Sequence, residues 1–195
     1  MFSMKYVTWF LSLIVVVIAV VVGSVLIRNI MDDVKTTNEV NTSKSITEQL
    51  KENTTLRLYV DGPVIADENH QSMQIDVTPK NRTISLYKTY NNTVFKKTEY
   101  ENNQKAFEAF ALALDKAGFT KSSQSQKDAK YAGDCALGRV YHLVLLNGEK
   151  VAQDLWSTSC GTTRTFNGSM SAVLNLFKKQ IPNYIEATVG STVSR

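Results

Sequence analysis

Between Tyr6 and Ile27 the chain reads YVTWFLSLIVVVIAVVVGSVLI, a stretch in which 18 of 22 residues are apolar and none is charged. As a helix rising about 1.5 Å per residue it would be roughly 33 Å long, enough to cross a hydrocarbon core of about 30 Å. A lone segment in lipid must satisfy its own backbone hydrogen bonds, which leaves the helix as its option. Tyr6, Trp9 and Phe10 gather at one end, where interfacial aromatics belong. The expectation is an N-terminal transmembrane helix, with the lipid bilayer as a partner through residues 6–27. A cleaved signal peptide is the alternative, with Lys5 as its basic end and Gly23 or Ser24 before the cut. Such peptides have apolar cores of only about 7–15 residues, shorter than this run. Five residues precede the span, and both cysteines follow it. The amino end is therefore expected in the cytoplasm and the carboxyl domain outside, a single-pass cell-membrane localisation.

The chain divides into four parts. Residues 1–28 form the short cytoplasmic end and the span. Residues 29–54 are polar and read as a stalk, although Ser45-x-x-Glu48 resembles a capping box for a short helix. Residues 55–187 read as an α+β domain. The end, 188–195, is small and polar, and reads as a frayed tail.

Within 55–187, apolar positions alternate over Leu56–Val60, Met73–Val77 and Ile84–Leu86, the period of a strand. Thr78-Pro79-Lys80-Asn81 is a turn, and Asn91-Asn92 can close a tight hairpin into a fourth strand over 93–99. Phe107, Phe110, Ala111 and Leu114 then follow a helical period, ending at Gly118. Val140–Leu146 and Glu149–Ser157 flank Asn147-Gly148, a strong hairpin signal. Met170, Val173, Leu174 and Phe177 mark a last helix that Pro182 terminates. The expected order is β-β-β-β-α-β-β-α: a mostly antiparallel sheet of about six strands with two helices packed on it.

The hairpin sets an expectation for the cysteines. If Asn147-Gly148 is the two-residue turn, facing residue numbers sum to 295, and so do Cys135 and Cys160. They would form a non-hydrogen-bonded pair with Cα atoms about 4.5 Å apart, close enough for a disulfide. A bulge in the hairpin would spoil this register. In the same reading Val140, Val144, Val151 and Leu155 share one face of the hairpin, and Tyr141, Leu143, Leu145 and Trp156 share the other.

Chemistry is sparse. Asp67, Glu68 and His70 put three acid, base or ligand groups within four residues, in what also reads as a polar turn between strands. His142, beside Gln153, reads as an ordinary strand residue. No nucleophile elbow, P-loop, dinucleotide fingerprint or H-E-x-x-H motif is present. No catalytic, cofactor-binding or metal site is assigned. From residue 29 onward, 20 basic residues face 18 acidic ones, too even a balance for nucleic acid. Five N-x-[ST] sequons, at Asn41, Asn53, Asn81, Asn91 and Asn167, read as composition in an Asn- and Thr-rich chain.

Four segments carry a resemblance. Gly62-Pro63-Val64-Ile65-Ala66-Asp67-Glu68-Asn69-His70, Ala117-Gly118-Phe119, Trp156-Ser157-Thr158-Ser159-Cys160-Gly161 and Gln180-Ile181-Pro182-Asn183-Tyr184 resemble segments of uncharacterised membrane-anchored proteins of Saccharibacteria-type bacteria. The resemblance implies a bacterial envelope setting and no activity. The function expected is a non-enzymatic, membrane-anchored binding or structural module outside the cell, its partner an envelope polymer or protein. The alternative is an envelope-associated hydrolase using Asp67, Glu68 and His70.

Overall fold

The computed structural model describes residues 45–123, 130–161 and 164–194, all within one compact unit spanning Ser43–Arg195. The elements are α1 (Ile46–Gln49), β1 (Thr54–Asp61), a 3₁₀ turn (Asp67–Asn69), β2 (Gln71–Val77), β3 (Asn81–Lys88), β4 (Thr93–Glu101), α2 (Gln104–Lys116), β5 (Val140–Asn147), β6 (Lys150–Thr158), α3 (Met170–Lys178) and α4 (Tyr184–Ala187). The six strands form one antiparallel sheet in the order β4-β3-β2-β1-β5-β6. The α+β order read from the sequence is present.

Strand alternation puts Leu56, Leu58 and Val60 of β1 beside Ile75 and Met73 of β2 and Leu143 and Leu145 of β5. This face is buried under α2, α3 and α4 in one core that also holds Phe107, Phe110, Phe119, Phe166 and Phe177. Phe110 and Phe177 meet edge to face at 5.1 Å, joining α2 to α3. The end of α2 at Gly118 is the one read from the sequence. Asn103 accepts the Ala106 N–H at its start, and Gly118 with φ +81° closes its end. There Gly118 N donates to Asp115 O and Phe119 N to Leu114 O, the two bonds of a Schellman ending.

The membrane helix requires correction. No helix among the described residues is long and apolar enough to cross a membrane. The longest, α2, has 13 residues and is amphipathic, about 20 Å at 1.5 Å per residue. The expected span at 6–27 lies outside the described residues. The fold class is accordingly an α+β domain with no transmembrane helix among the described residues. The signal anchor, the single-pass topology, the bilayer as partner and the extracytoplasmic localisation are withdrawn with it.

Both ends of the domain are also longer than expected. Ser45 and Ile46 are not stalk: Ile46 is fully buried, and Asp115 of α2 accepts bonds from Ser45 Oγ (2.9 Å) and Ile46 N (3.0 Å). The carboxyl end is not frayed. Val193 is buried, Thr192 N donates to Gln71 Oε1 at 2.8 Å, and Tyr184 Oη donates to Ser194 O at 3.2 Å. Small polar residues read as solvated where the groups that hold them lie far off in sequence, as Gln71 does from Thr192, 121 residues away.

The hairpin register differs from the expectation in two steps. Asn147 pairs with Lys150, so Gly148-Glu149 form the turn. Asn147 Oδ1 accepts from Thr54 Oγ1 (2.8 Å) and Gly148 N donates to Asn53 O (3.0 Å), which ties Asn147 into the ladder with β1. A bulge at Ala152 then shifts the pairs once more, to Leu145↔Gln153 and Leu143↔Leu155. An odd slip exchanges faces. Leu155 therefore joins Leu143 in the core, and Trp156 lies opposite His142 on the other face.

The disulfide nevertheless forms, with Cα atoms 5.5 Å apart. In the observed register the position opposite Cys160 belongs to Gly138. Cys135 reaches the bridge from a turn, at φ +57°, closed by Gly138 N to Cys135 O. Only a glycine fits at 138 because the bridge occupies that space: a Cβ there would collide with Cys135 Sγ and Ser159 Oγ.

At the β6 edge, Thr165 N and Phe166 N both donate to Trp156 O, and Phe166 bridges antiparallel to Ser122. On β4 the core-side Lys96 lies across the sheet's rim, its Nζ donating to Glu186 O at 2.8 Å.

Gly138→Ala should crowd the bridge. Overpacking of this kind costs about 1–3 kcal/mol. We expect a lower urea midpoint and a rise in thiols titratable in the native protein; an unchanged midpoint with full oxidation would contradict the steric role.

Candidate functional site

No described helix packs on the second face of the sheet, and its side chains are the place to look for function. Alternation from Leu58 places Arg57, Tyr59 and Asp61 there, beside Asp76, Gln74 and Ser72 of β2 and Val144, His142 and Val140 of β5. Arg57 and Asp76 form a two-pronged pair, Nε–Oδ1 2.7 Å and Nη2–Oδ2 2.9 Å.

His70 follows the 3₁₀ turn and is 2% exposed. Its Nδ1 donates to Pro63 O at 3.2 Å, since a carbonyl can only accept. Its Nε2 meets Asp61 Oδ1 at 3.1 Å. The ring is stacked on Tyr90, centroids 3.8 Å apart and planes 13° from parallel. Tyr90 reaches it from the β3–β4 loop, a four-residue connection rather than a tight Asn91-Asn92 turn, with Thr89 and Asn92 both at positive φ. Thr89 N donates to His70 O (3.0 Å) and Tyr90 N to Asp67 Oδ1 (2.8 Å). Tyr90 Oη also bonds the backbone of Ile65.

The sequence cluster is thus taken apart. Asp67 holds the loop that carries Tyr90, and Glu68 sits on the exposed turn. Neither contacts the imidazole. The side-chain partners of His70 are Asp61 and Tyr90, nine and twenty residues away, which no local spacing could reveal.

Asp61 Oδ1 also accepts from Tyr59 Oη at 3.4 Å, and Asn92 Oδ1 accepts from Tyr59 Oη (3.3 Å) and Ser72 Oγ (3.2 Å). Burial pushes the Tyr59 phenol up to about 12. Beyond Tyr59, 6.1 Å between ring centroids, lies His142, whose Nδ1 meets Asp154 Oδ1 at 3.1 Å. Tyr131 then stands edge-on to His142 (4.8 Å) and to Trp156 (5.9 Å). A row of rings runs across this face, from Tyr90 and His70 through Tyr59 to His142, Tyr131 and Trp156, with a carboxylate at each histidine. The β6 bulge hid the second pair, because the unbulged register set Asp154 elsewhere.

One groove is remote from this row. About 940 Å³ in volume, it lies between α1 and α2, lined by Leu50, Gln104, Glu108 and Leu112 among others. It holds no histidine or cysteine, and the chemistry of the row is the better guide. Among the described residues no three His, Cys, Asp or Glu side chains converge as metal ligands.

Compared with known proteins, the chain matches no family model, and no curated protein matches it. The resemblance to Saccharibacteria-type membrane proteins therefore has no support and is withdrawn.

Tyr59 and Tyr184 are both half-buried phenols held up to about 12, against about 10 in an unfolded chain. Their stabilising contribution is complete below pH ~10 and is lost as pH rises through ~12. Stability should fall across that interval, and less steeply in Tyr59→Phe. Alkaline titration of tyrosine absorbance, read beside denaturation midpoints, checks both.

Proposed function

We propose that residues 45–194 form a non-enzymatic binding or structural module. The observation that carries this reading is the engagement of His70. Both ring nitrogens and one ring face are committed to Pro63 O, Asp61 and Tyr90, and the side chain is almost wholly buried. A general base needs a nitrogen within reach of a substrate proton. His70 instead joins β1, β2 and the β3–β4 loop, so its geometry supports a bolt. Asp67 serves the same loop through Tyr90 N.

The second face is what such a module would present. Rings there alternate with carboxylates, an amide and the Arg57–Asp76 pair, all set on strands rather than on loops alone. Strand-borne groups keep their spacing, the property a recognition surface needs.

A hydrolytic reading has one observation in its favour, and it falls on a different residue. His142 is oriented by Asp154 through Nδ1, the arrangement in which a carboxylate fixes an imidazole for proton transfer.

His70→Ala separates the two. It removes a bond to a charged partner and a stacked ring, and should lower stability by about 1.5–3 kcal/mol. Thermal unfolding of the variant is compared with turnover of ester, phosphate and glycoside probe substrates by the unsubstituted protein. Turnover that vanishes in His70→Ala while the melting temperature holds would overturn the module reading; turnover lost only in His142→Ala would favour the second one.

A further inference from the structure

We infer that the Cys135–Cys160 bridge is a redox-sensitive latch on residues 130–138, and that its reduction uncovers His142 and Trp156 on the second face of the sheet. The segment is built as two consecutive turns, Asp134 N to Tyr131 O (2.9 Å) and Gly138 N to Cys135 O (2.8 Å), with the bridge at their junction. Tyr131, at the far end, is the ring that stands against both His142 and Trp156.

Few other ties hold this strap. Among the described residues its backbone meets the rest of the domain through Val64 N to Ala136 O, 2.7 Å. The hairpin beneath does not need the bridge. Its ladder closes at Val140↔Thr158, and one step further Ser159 N donates to Arg139 O while Arg139 N donates to Ser159 Oγ. The strap's own composition favours release. Asp134 Oδ2 is buried with no hydrogen-bond partner among the described residues, a polar group that opening would return to water. Leu137 is already 90% exposed and anchors nothing.

Access and chemistry fit the same picture. Cys160 is exposed and Cys135 half-buried, so a thiolate reaches the bridge at Cys160. The co-reactant is a dithiol. One donor thiolate attacks Cys160 Sγ, the Cys135–Cys160 bond breaks, and Cys135 leaves as a thiolate that takes up a proton. The second donor thiol then displaces Cys160 from the mixed disulfide. The protein gains two thiols and the donor becomes a cyclic disulfide, so electrons and protons balance.

The chain has only two histidines, which makes the test direct. Histidine ring signals of the full-length protein are recorded by NMR before and after dithiothreitol. The expected result is a shift of the His142 signal, as the Tyr131 ring leaves it, with the His70 signal unmoved. Oxidised Tyr131→Ala should reproduce that shift without reductant, and a Cys135→Ser/Cys160→Ser double variant should show it permanently. Should the double variant fail to fold, reduction of the folded wild-type protein still reads the same signal. A His142 signal indifferent to dithiothreitol would make the bridge a passive staple and overturn the proposal. So would a collapse of both histidine signals to unfolded positions, which would make it a global stabiliser.

Discussion

The pairing of β1 with β5 is the contact on which the rest depends. The four-stranded meander β1–β4 and the hairpin β5–β6 are separated in sequence by α2 and a long connection, and eight residue pairs from Thr54↔Asn147 to Asp61↔Val140 join them into one sheet. Leu56, Leu58 and Val60 meet Leu145, Leu143 and Tyr141 across that seam. Only when it closes does the apolar face become broad enough for Phe107, Phe110 and Phe177 to cover. Non-local closure of this kind is entropically slow, so the seam also governs how fast the domain can fold.

The second face owes its character to the same seam. Tyr59 stands on β1 between two histidine–carboxylate pairs because β2 brings the neighbourhood of His70 to one side and β5 brings His142 to the other. The β3–β4 loop then folds over the β2 end, at the cost of left-handed backbone at Thr89, a conformation that β-branched residues rarely adopt. The loop recovers bonds to His70 O and Asp67, and the ring of Tyr90 seals the imidazole from water.

The elements were legible in the sequence, and several of their relations were not. Period-2 alternation marked β1, β2 and β3 because each sets its large apolar side chains on one side, and Gly118 marked the end of α2 because capping chemistry is local. Register was another matter. Nothing local distinguishes Asn147-Gly148 from Gly148-Glu149 as the turn; the decision is taken by Asn53 and Thr54, almost a hundred residues earlier. Nor does a sequence announce a bulge at Ala152, and that one residue decides whether Leu155 or Trp156 faces the core. The cysteine pairing was expected on a register the structure does not have. It holds because a turn carries Cys135 to the place the ladder would have given to Gly138. Charged residues close in sequence suggested a site at 67–70, whereas the imidazole is satisfied from β1 and the β3–β4 loop.

The short return of the chain along β6 has a consequence for behaviour at high concentration. An unpaired outer strand offers a row of amides and carbonyls on which another molecule's strand can grow. At Trp156 that offer is withdrawn, since Thr165 and Phe166 already occupy its carbonyl and are themselves braced by Ser122. At the opposite rim an ammonium group, Lys96, lies where a stacking neighbour would need an apolar side chain. Each outer strand thus carries its own deterrent to fibril-like growth, and the sheet ends at six strands without an external cap.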